Sequence, residues 1–290
     1  MANFKGLFTA QLTPFDKNNK INDAALEKLI KYNIDMGVTG FYVCGSTAEA
    51  FHMTADERKY VLEAVRTFAK DKTIIAHVGS LNEAEAIDLA QHAEKVGADA
   101  ISSVAPFYYK MTFNEIKDYY YTVAESVNIP MLVYNFPMYT GVTMTMKEFD
   151  QFFENDKFLG FKHTSSDFFT LERVKAKYPE KIALNGFDEM FLGGIVMGAD
   201  GGIGSTYNFM ANKFASIMEL VKEGKIPEAR EIQHDINKVV ETLFSIELMP
   251  AQKEVLNQLG FDFGNCRKPF RELTLDEKKI IEKEIMPLIR

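Results

Sequence analysis

The chain has 290 residues, of which 47% are hydrophobic and 26% are charged, so it has enough apolar material for a core and no compositional bias toward disorder. Its 33 basic and 41 acidic side chains give a net charge of −8 without a basic patch, which argues against nucleic acid as a partner. No segment approaches the roughly 18 apolar residues of a membrane span, and the first residues lack the apolar core of a signal peptide, so we expect a soluble, cytoplasmic protein with no membrane partner.

Short apolar runs bounded by turn residues alternate with segments of helical spacing through most of the chain. Capping boxes at 54–57 and 112–115 begin two of the helical segments, and glycines such as Gly97 follow their ends. The apolar runs predict eight strands, at 6–12, 40–44, 74–78, 100–104, 131–134, 159–162, 182–185 and 201–203.

Eight strand-helix units, with an eighth helix at 212–223, predict a (β/α)8 TIM barrel rather than an open doubly wound sheet, which usually has fewer strands. The remaining residues contain three further helical segments, and no glycine- or proline-rich linker precedes them. We therefore predict a barrel domain over 1–223 and a C-terminal three-helix extension over 224–290 that packs on the barrel.

The cysteines and histidines do not indicate a metal site. Cys44 and Cys266 lie far apart and form no C-x-x-C pair, so neither a disulfide framework nor a zinc site is expected. The five histidines are scattered without ligand spacing, and we predict no metal.

The segment FLGFKHTSSD, residues 158 to 167, places Lys162 at the end of the sixth predicted strand. Catalytic groups of barrels gather at such strand ends, and strand alternation predicts that Lys162 points inward while Phe161 and His163 face the helices. Burial lowers the pKa of a lysine, and the neutral amine can then form a Schiff base with a carbonyl compound. The alternative is a strand-end lysine that extends to solvent.

YNFP, residues 134 to 137, places Tyr134 at the end of the strand before that of Lys162. An inward phenol there can reach a substrate bound to the lysine and exchange protons with it. The alternative is a core tyrosine with a satisfied hydroxyl group.

VCGSTAE, residues 43 to 49, follows the second predicted strand. The amides and hydroxyls of Ser46 and Thr47 can hold a carboxylate. The segment 40–47 also approaches the spacing of a phosphate-binding loop, but a serine occupies the position of the required lysine, so nucleotide binding is rejected.

GFDE, residues 186 to 189, follows the seventh predicted strand. Asp188 and Glu189 are predicted at the mouth of the barrel, where they would repel phosphate and suit the hydroxyl groups of a polyol. The alternative is an acidic pair that stabilises a helix N-terminus.

The GST turn at 45–47, the YNFP tyrosine and the strand-end lysine follow one another along the chain in this order. With these motifs, the sequence resembles the N-acetylneuraminate lyase and dihydrodipicolinate synthase superfamily of class I pyruvate aldolases. The resemblance runs almost from end to end. Four further segments are similar to the N-acetylneuraminate lyase branch in particular: FYY at 107–109, GFDE at 186–189, GGIGSTYN at 201–208 and CRKPF at 266–270.

Two positions distinguish the chain within this superfamily. Dihydrodipicolinate synthases carry an arginine shortly after the YNFP-type tyrosine, which grips a second substrate carboxylate, whereas this chain reads MYTG at 138–141. The missing cation suits a substrate with one carboxylate and a hydroxylated tail. Ala48 replaces a glycine that is general in the family, and a positive φ there would strain the turn by about 1 kcal/mol.

The resemblance implies a reversible retro-aldol reaction in which open-chain N-acetylneuraminate yields N-acetylmannosamine and pyruvate. It implies a Schiff base on Lys162 without any cofactor, proton transfer by Tyr134, and a substrate carboxylate held by Ser46 and Thr47. Five residues are implied to orient the sugar chain: Thr164, Gly186, Asp188, Glu189 and Ser205.

The resemblance also implies a homotetramer in which Tyr108 lies near a subunit contact and the active site. The alternative for Tyr108 is a loop aromatic packed within its own chain. Two alternative functions stay open: another pyruvate-dependent aldolase acting on a 2-keto-3-deoxy sugar acid, and a non-catalytic sugar-acid binding protein. The joint presence of Lys162 and Tyr134 argues against the binding protein.

Overall fold

Eight parallel strands form a closed barrel in the computed structural model, which describes residues 2–289. Each strand pairs with its neighbours in sequence, and pairing of the first with the last closes the ring. The predicted TIM barrel is confirmed, and every predicted strand overlaps an observed one. The strands are β1 Gly6–Ala10, β2 Gly40–Val43, β3 Thr73–His77, β4 Ala100–Val104, β5 Met131–Asn135, β6 Phe158–His163, β7 Ile182–Asn185 and β8 Gly201–Gly204.

Helices surround the barrel and connect its strands. Reciprocal capping boxes join Thr54 to Glu57 and Thr112 to Glu115, as the sequence predicts, and Gly97 ends its helix with a left-handed φ of 88°. The helices are α1 Asp23–Asp35, α2 Ala55–Phe68, α3 Glu83–Val96, α4 Phe113–Glu125, α5 Pro137–Thr140, α6 Met146–Phe153, α7 Phe168–Lys177, α8 Phe191–Val196 and α9 Tyr207–Lys222.

Two apolar layers follow from strand alternation. Side chains such as Phe8, Tyr42 and Leu132 fill the barrel interior, while alternate strand residues pack outward against the helices. Phe161 of β6 belongs to the outer layer and contacts the ring of Phe149 in α6 at a centroid distance of 5.4 Å. Because Phe161 packs outward, the next residue of β6, Lys162, points into the barrel.

The C-terminal part consists of helices, as predicted. α10 Ile226–Ile246 and α11 Leu248–Gln258 are followed by a helical segment made of α12 Leu275–Ile280, a π-helical turn at Ile281–Ile285 and α13 Met286–Ile289. α10 packs along α9 and also contacts α8. The division at residue 223 stays a prediction. No helix within residues 2–289 is long and apolar enough to cross a membrane.

Candidate active site

Lys162 lies inside the barrel near the C-terminal end of β6. Its side chain points inward, as alternation predicts, and only 6% of the residue is exposed. The amine nitrogen lies 4.1 Å from the ring centroid of Tyr134 and 4.7 Å from that of Tyr42. A lysine that extends to solvent is therefore excluded.

The environment of Lys162 favours its neutral form. Burial lowers the pKa of the amine from 10.5 to about 7, and the charge of Asp188 opposes this shift only in part. None of the ion pairs among residues 2–289 includes Lys162. Near neutral pH, a large fraction of the amine is thus unprotonated and able to attack a carbonyl carbon.

Tyr134 lies near the C-terminal end of β5 and beside Lys162, because the two residues are paired across the strands. Its ring stacks on Phe136 at 5.5 Å, and the residue is 3% exposed. Burial raises the pKa of the phenol to about 12, against smaller lowering effects of the nearby Thr164 and Ser46 hydroxyls. The phenol therefore carries its proton at neutral pH and can donate it toward a group on Lys162.

Ser46 and Thr47 lie in a short 3-10 helix, Ser46–Ala48, directly after β2. The left-handed residues of this turn are Cys44, with a φ of 60°, and Glu49, with a φ of 59°. Ala48 itself does not adopt a positive φ, so the condition under which it would strain the turn is not met.

His77 supports this turn from β3. The backbone amide of Val104 donates to His77 Nε2 at 3.3 Å, which leaves the proton on Nδ1, and Nδ1 donates to the carbonyl oxygen of Cys44 at 3.0 Å. Burial lowers the pKa of His77 well below its usual value, so the ring stays neutral and the bond to Cys44 persists.

Asp188 lies deeper than predicted. It follows β7 at the C-terminal end of the barrel but is only 6% exposed, and Glu189 is the more accessible of the two acids. Asp188 Oδ2 accepts hydrogen bonds from the amide and the hydroxyl of Thr206 at 2.8 and 2.7 Å. Burial raises the pKa of Asp188 to about 6, with the Thr206 hydrogen bonds opposing, and burial also raises the pKa of Glu189.

Asp188 and Glu189 lie in the first turn of a 3-10 helix, Asp188–Met190, which is the position that the helix N-terminus alternative predicts for them. The hydrogen bonds of the Asp188 carboxylate show a second role. They join it to Thr206 on the next strand-helix connection. Asp188 therefore ties the loops after β7 and β8 together.

One cavity of about 340 Å³ at the C-terminal end of the barrel collects the predicted site residues. A side chain at Gly186 would overlap Thr164, so glycine keeps this wall open. Nine predicted residues line the cavity: Ser46, Thr47, Tyr134, Lys162, Thr164, Gly186, Asp188, Glu189 and Ser205.

Tyr108 lies outside this cavity. It is 74% exposed and contacts the ring of Tyr109, itself 70% exposed, at 5.0 Å. Tyr108 thus packs on one neighbouring ring of its own chain and is otherwise exposed, and its predicted subunit contact stays a prediction.

The Dihydrodipicolinate synthetase family model matches residues 3–287. The chain belongs to this family.

Individual family members resemble the chain over nearly their whole length. An N-acetylneuraminate lyase of Fusobacterium nucleatum is 44% identical over 283 residues, which cover 97% of this chain and 95% of that protein. A crystal structure of an N-acetylneuraminate lyase from Fusobacterium nucleatum complexed with pyruvate superposes with a TM-score of 0.94 at 41% identity, covering 99% of this chain and 97% of that one. A catalytic lysine mutant of the Ruminococcus gnavus sialic acid aldolase superposes with a TM-score of 0.94 at 31% identity, covering 98% and 96% of the two chains.

One wall of the cavity is apolar, and the sequence does not predict that its residues belong to the site. Residues of α10 and α11 form it, because the C-terminal extension closes over one side of the barrel mouth. No local motif signals these residues, since helical spacing of apolar side chains is equally typical of a core. The wall consists of Val240, Phe244, Leu248 and Met249.

Residues 2–289 contain no group of three or more His, Cys, Asp or Glu side chains arranged to hold a metal ion. The chemistry available to the cavity residues themselves is that of an amine, a phenol, hydroxyls and two carboxylates.

Proposed function

We propose that this protein is a class I aldolase that reversibly cleaves N-acetylneuraminate to N-acetylmannosamine and pyruvate. The observation that carries this proposal is the buried Lys162, whose pKa of about 7 makes it a nucleophile, beside the protonated phenol of Tyr134. The family membership and the lyases at more than 40% identity support it.

The first step is imine formation. The neutral amine of Lys162 attacks the C2 ketone of the open-chain sugar acid, and loss of water leaves an iminium ion on the lysine. Ser46 and Thr47 hold the C1 carboxylate beside it. The Tyr134 hydroxyl donates and recovers protons during the addition and the loss of water.

Cleavage then breaks the bond between C3 and C4. The bonding electron pair moves toward the iminium nitrogen and gives an enamine. The C4 hydroxyl transfers its proton to the Tyr134 oxygen, which gave up its own proton when water was lost, and becomes the aldehyde of N-acetylmannosamine. Tyr134 then returns this proton to C3 of the enamine, and hydrolysis of the resulting iminium ion releases pyruvate and restores the amine. Lys162 is the electron sink, so the proposed reaction needs no metal or organic cofactor.

The cavity also offers hydrogen-bonding groups for a polyhydroxyl chain. Thr164 Oγ1 and Asp188 Oδ1 are buried without a hydrogen-bond partner in the described chain, and Glu189 is partly accessible. We assign Thr164, Gly186, Asp188, Glu189 and Ser205 to binding of the sugar chain. Carboxylates accept hydrogen bonds from hydroxyls strongly, which favours a sugar acid over an apolar substrate.

The assembly and the chain organisation belong to the same proposal. We propose a cytoplasmic homotetramer in which the exposed Tyr108 lies at a subunit contact near the active site. We also propose that residues 1–223 form the catalytic barrel and that residues 224–290 form an extension whose α10 and α11 complete the cavity wall.

Borohydride reduction in the presence of pyruvate tests the chemistry. A Schiff-base enzyme gains one covalent adduct, which peptide mapping should locate on Lys162. A binding protein without this chemistry gains none. A panel of sugar acids with pyruvate detection then tests the substrate, since preferential release from a 2-keto-3-deoxy sugar acid would contradict the sialic acid assignment.

A further inference from the structure

A buried ion pair lies directly behind the turn that contains Ser46 and Thr47. Lys253 of α11 is 1% exposed, and its amine lies 2.6 Å from Oε1 of Glu49, which is 4% exposed. The backbone amide of Arg267 donates to Glu49 Oε2 at 2.8 Å. The Lys253 ammonium is the partner of Glu49 Oε1 and balances the charge at this oxygen.

The backbone of Glu49 shapes the same turn. Glu49 has a left-handed φ of 59° and separates the 3-10 helix Ser46–Ala48 from a second one at Ala50–His52. Its amide donates to the carbonyl oxygen of Ser46 at 3.0 Å. A residue with a Cβ is strained in this conformation, so the surrounding contacts must hold it there. The fixed side chain of Glu49 supplies such a contact.

The C-terminal extension holds the turn at a second point. The Arg267 guanidinium donates to the carbonyl oxygen of His52 at 2.9 Å and to both carboxylate oxygens of Glu57 at 2.7 and 2.5 Å. Lys253 also donates to the carbonyl oxygen of Asn265 at 3.2 Å. The extension is thereby fixed to Glu49 itself and to two residues that follow it, His52 and Glu57.

We infer that Glu49 and Lys253 are positioning residues that hold Ser46 and Thr47 in the geometry required to bind the substrate carboxylate. Neither side chain of the pair lines the cavity around Lys162, so both act through the turn. The pair also makes carboxylate binding depend on the C-terminal extension, because Lys253 belongs to α11. This inference rests on the proposed function.

Lys253→Met tests the inference, because methionine fills a similar volume without the charge. The measurement is the pyruvate concentration that gives half-maximal borohydride trapping of the folded enzyme. We expect it to rise roughly tenfold, the scale seen when residues behind a ligating side chain are lost, while the maximal trapping rate stays near that of the parent. A loss of stability without any change in half-saturation would reduce the pair to a structural role and overturn the inference.

Lys175→Met is the matched control. Lys175 forms another largely buried ion pair, 2.9 Å from Asp200, but this pair lies at the opposite end of the barrel, before β8. The control should lose stability while keeping the half-saturating pyruvate concentration of the parent. An equal rise in both variants would show that the effect is general destabilisation.

The double variant Glu49→Gln with Lys253→Met covers the case in which Lys253→Met does not fold, since it leaves no unpaired buried charge. It should fold and still require at least about threefold more pyruvate, because glutamine retains the acceptor for Arg267 but loses the ionic anchor. Parent-like half-saturation in this variant would overturn the inference. Absence of trapping in the parent itself would instead refute the proposed function.

Discussion

Lys162 and Lys253 are both buried lysines, and the group beside each amine separates their roles. Lys162 lies 4.1 Å from the ring of Tyr134 and Lys253 lies 4.2 Å from that of Phe15, so both face an aromatic surface. Lys253 has the carboxylate of Glu49 at 2.6 Å, whereas Lys162 takes part in no ion pair within residues 2–289. Burial lowers the pKa of both amines, and Glu49 opposes this shift at Lys253. The proposed nucleophile is thus the buried lysine whose amine has no carboxylate at ion-pair distance.

The largest effect should follow from removing the unpaired amine. Lys162→Ala and Lys162→Arg should lose all measurable cleavage of N-acetylneuraminate. Alanine has no amine, and the guanidinium of arginine stays protonated, so neither side chain can form the imine. Pyruvate release by each purified variant measures this, and circular dichroism checks that the fold is retained. A rate of pyruvate release above a small percentage of the parent rate would mean that another residue is the nucleophile.

Stability should change in opposite directions at the two lysines. Lys253→Met leaves the Glu49 carboxylate buried without its partner and should lower the free energy of unfolding by about 3 to 5 kcal/mol. Lys162→Met removes a desolvated amine that has no counter-charge and should raise that free energy by about 1 kcal/mol. Urea unfolding of both variants at pH 7 tests the contrast, and equal destabilisation would remove the distinction between the paired and the unpaired amine.

Tyr134→Phe should lower kcat by about 10²-fold, the usual scale for a positioned acid-base group. Phenylalanine keeps the ring over Lys162, so the local packing remains. Steady-state cleavage rates measure the effect, with pyruvate trapping as a check that Lys162 is still reactive. A variant as fast as the parent would leave Tyr134 as a packing residue.

The two acids of the cavity should affect the sugar chain more than the reacting carbon. Asp188→Asn combined with Glu189→Gln preserves shape but removes both charges, and each charge-assisted hydrogen bond contributes about 1.5 to 3 kcal/mol. We expect kcat/KM for N-acetylneuraminate to fall at least about tenfold while trapping with pyruvate persists. A parallel loss of both activities would show that the acids mainly support the loops after β7 and β8.

The barrel could be predicted from sequence because its strands are local patterns. The runs at 100–104 and 182–185 coincide with β4 and β7, and capping boxes identify α2 and α4. Strand alternation also predicts the inward direction of Lys162, since the next residue on either side packs outward.

Features that depend on distant residues could not be predicted in this way. The partner of Glu49 lies on α11, far along the chain, and the depth of Asp188 follows from its bonds to Thr206 on another loop. The left-handed positions of the turn, Cys44 and Glu49, likewise carry no local signal, because neither is a glycine. Such contacts arise only when the ring of strands closes.

The pH dependence of imine formation tests the central claim most directly. The rate of pyruvate trapping is measured from pH 5.5 to 9 at a cyanoborohydride concentration above which the rate no longer changes, with Lys162→Arg as the blank. Because the neutral amine is the reactant and the pKa of Lys162 is about 7, the rate should rise with pH and level off above that value. A rate that still rises about tenfold per pH unit at pH 9 would place the pKa near that of an exposed lysine and contradict the account.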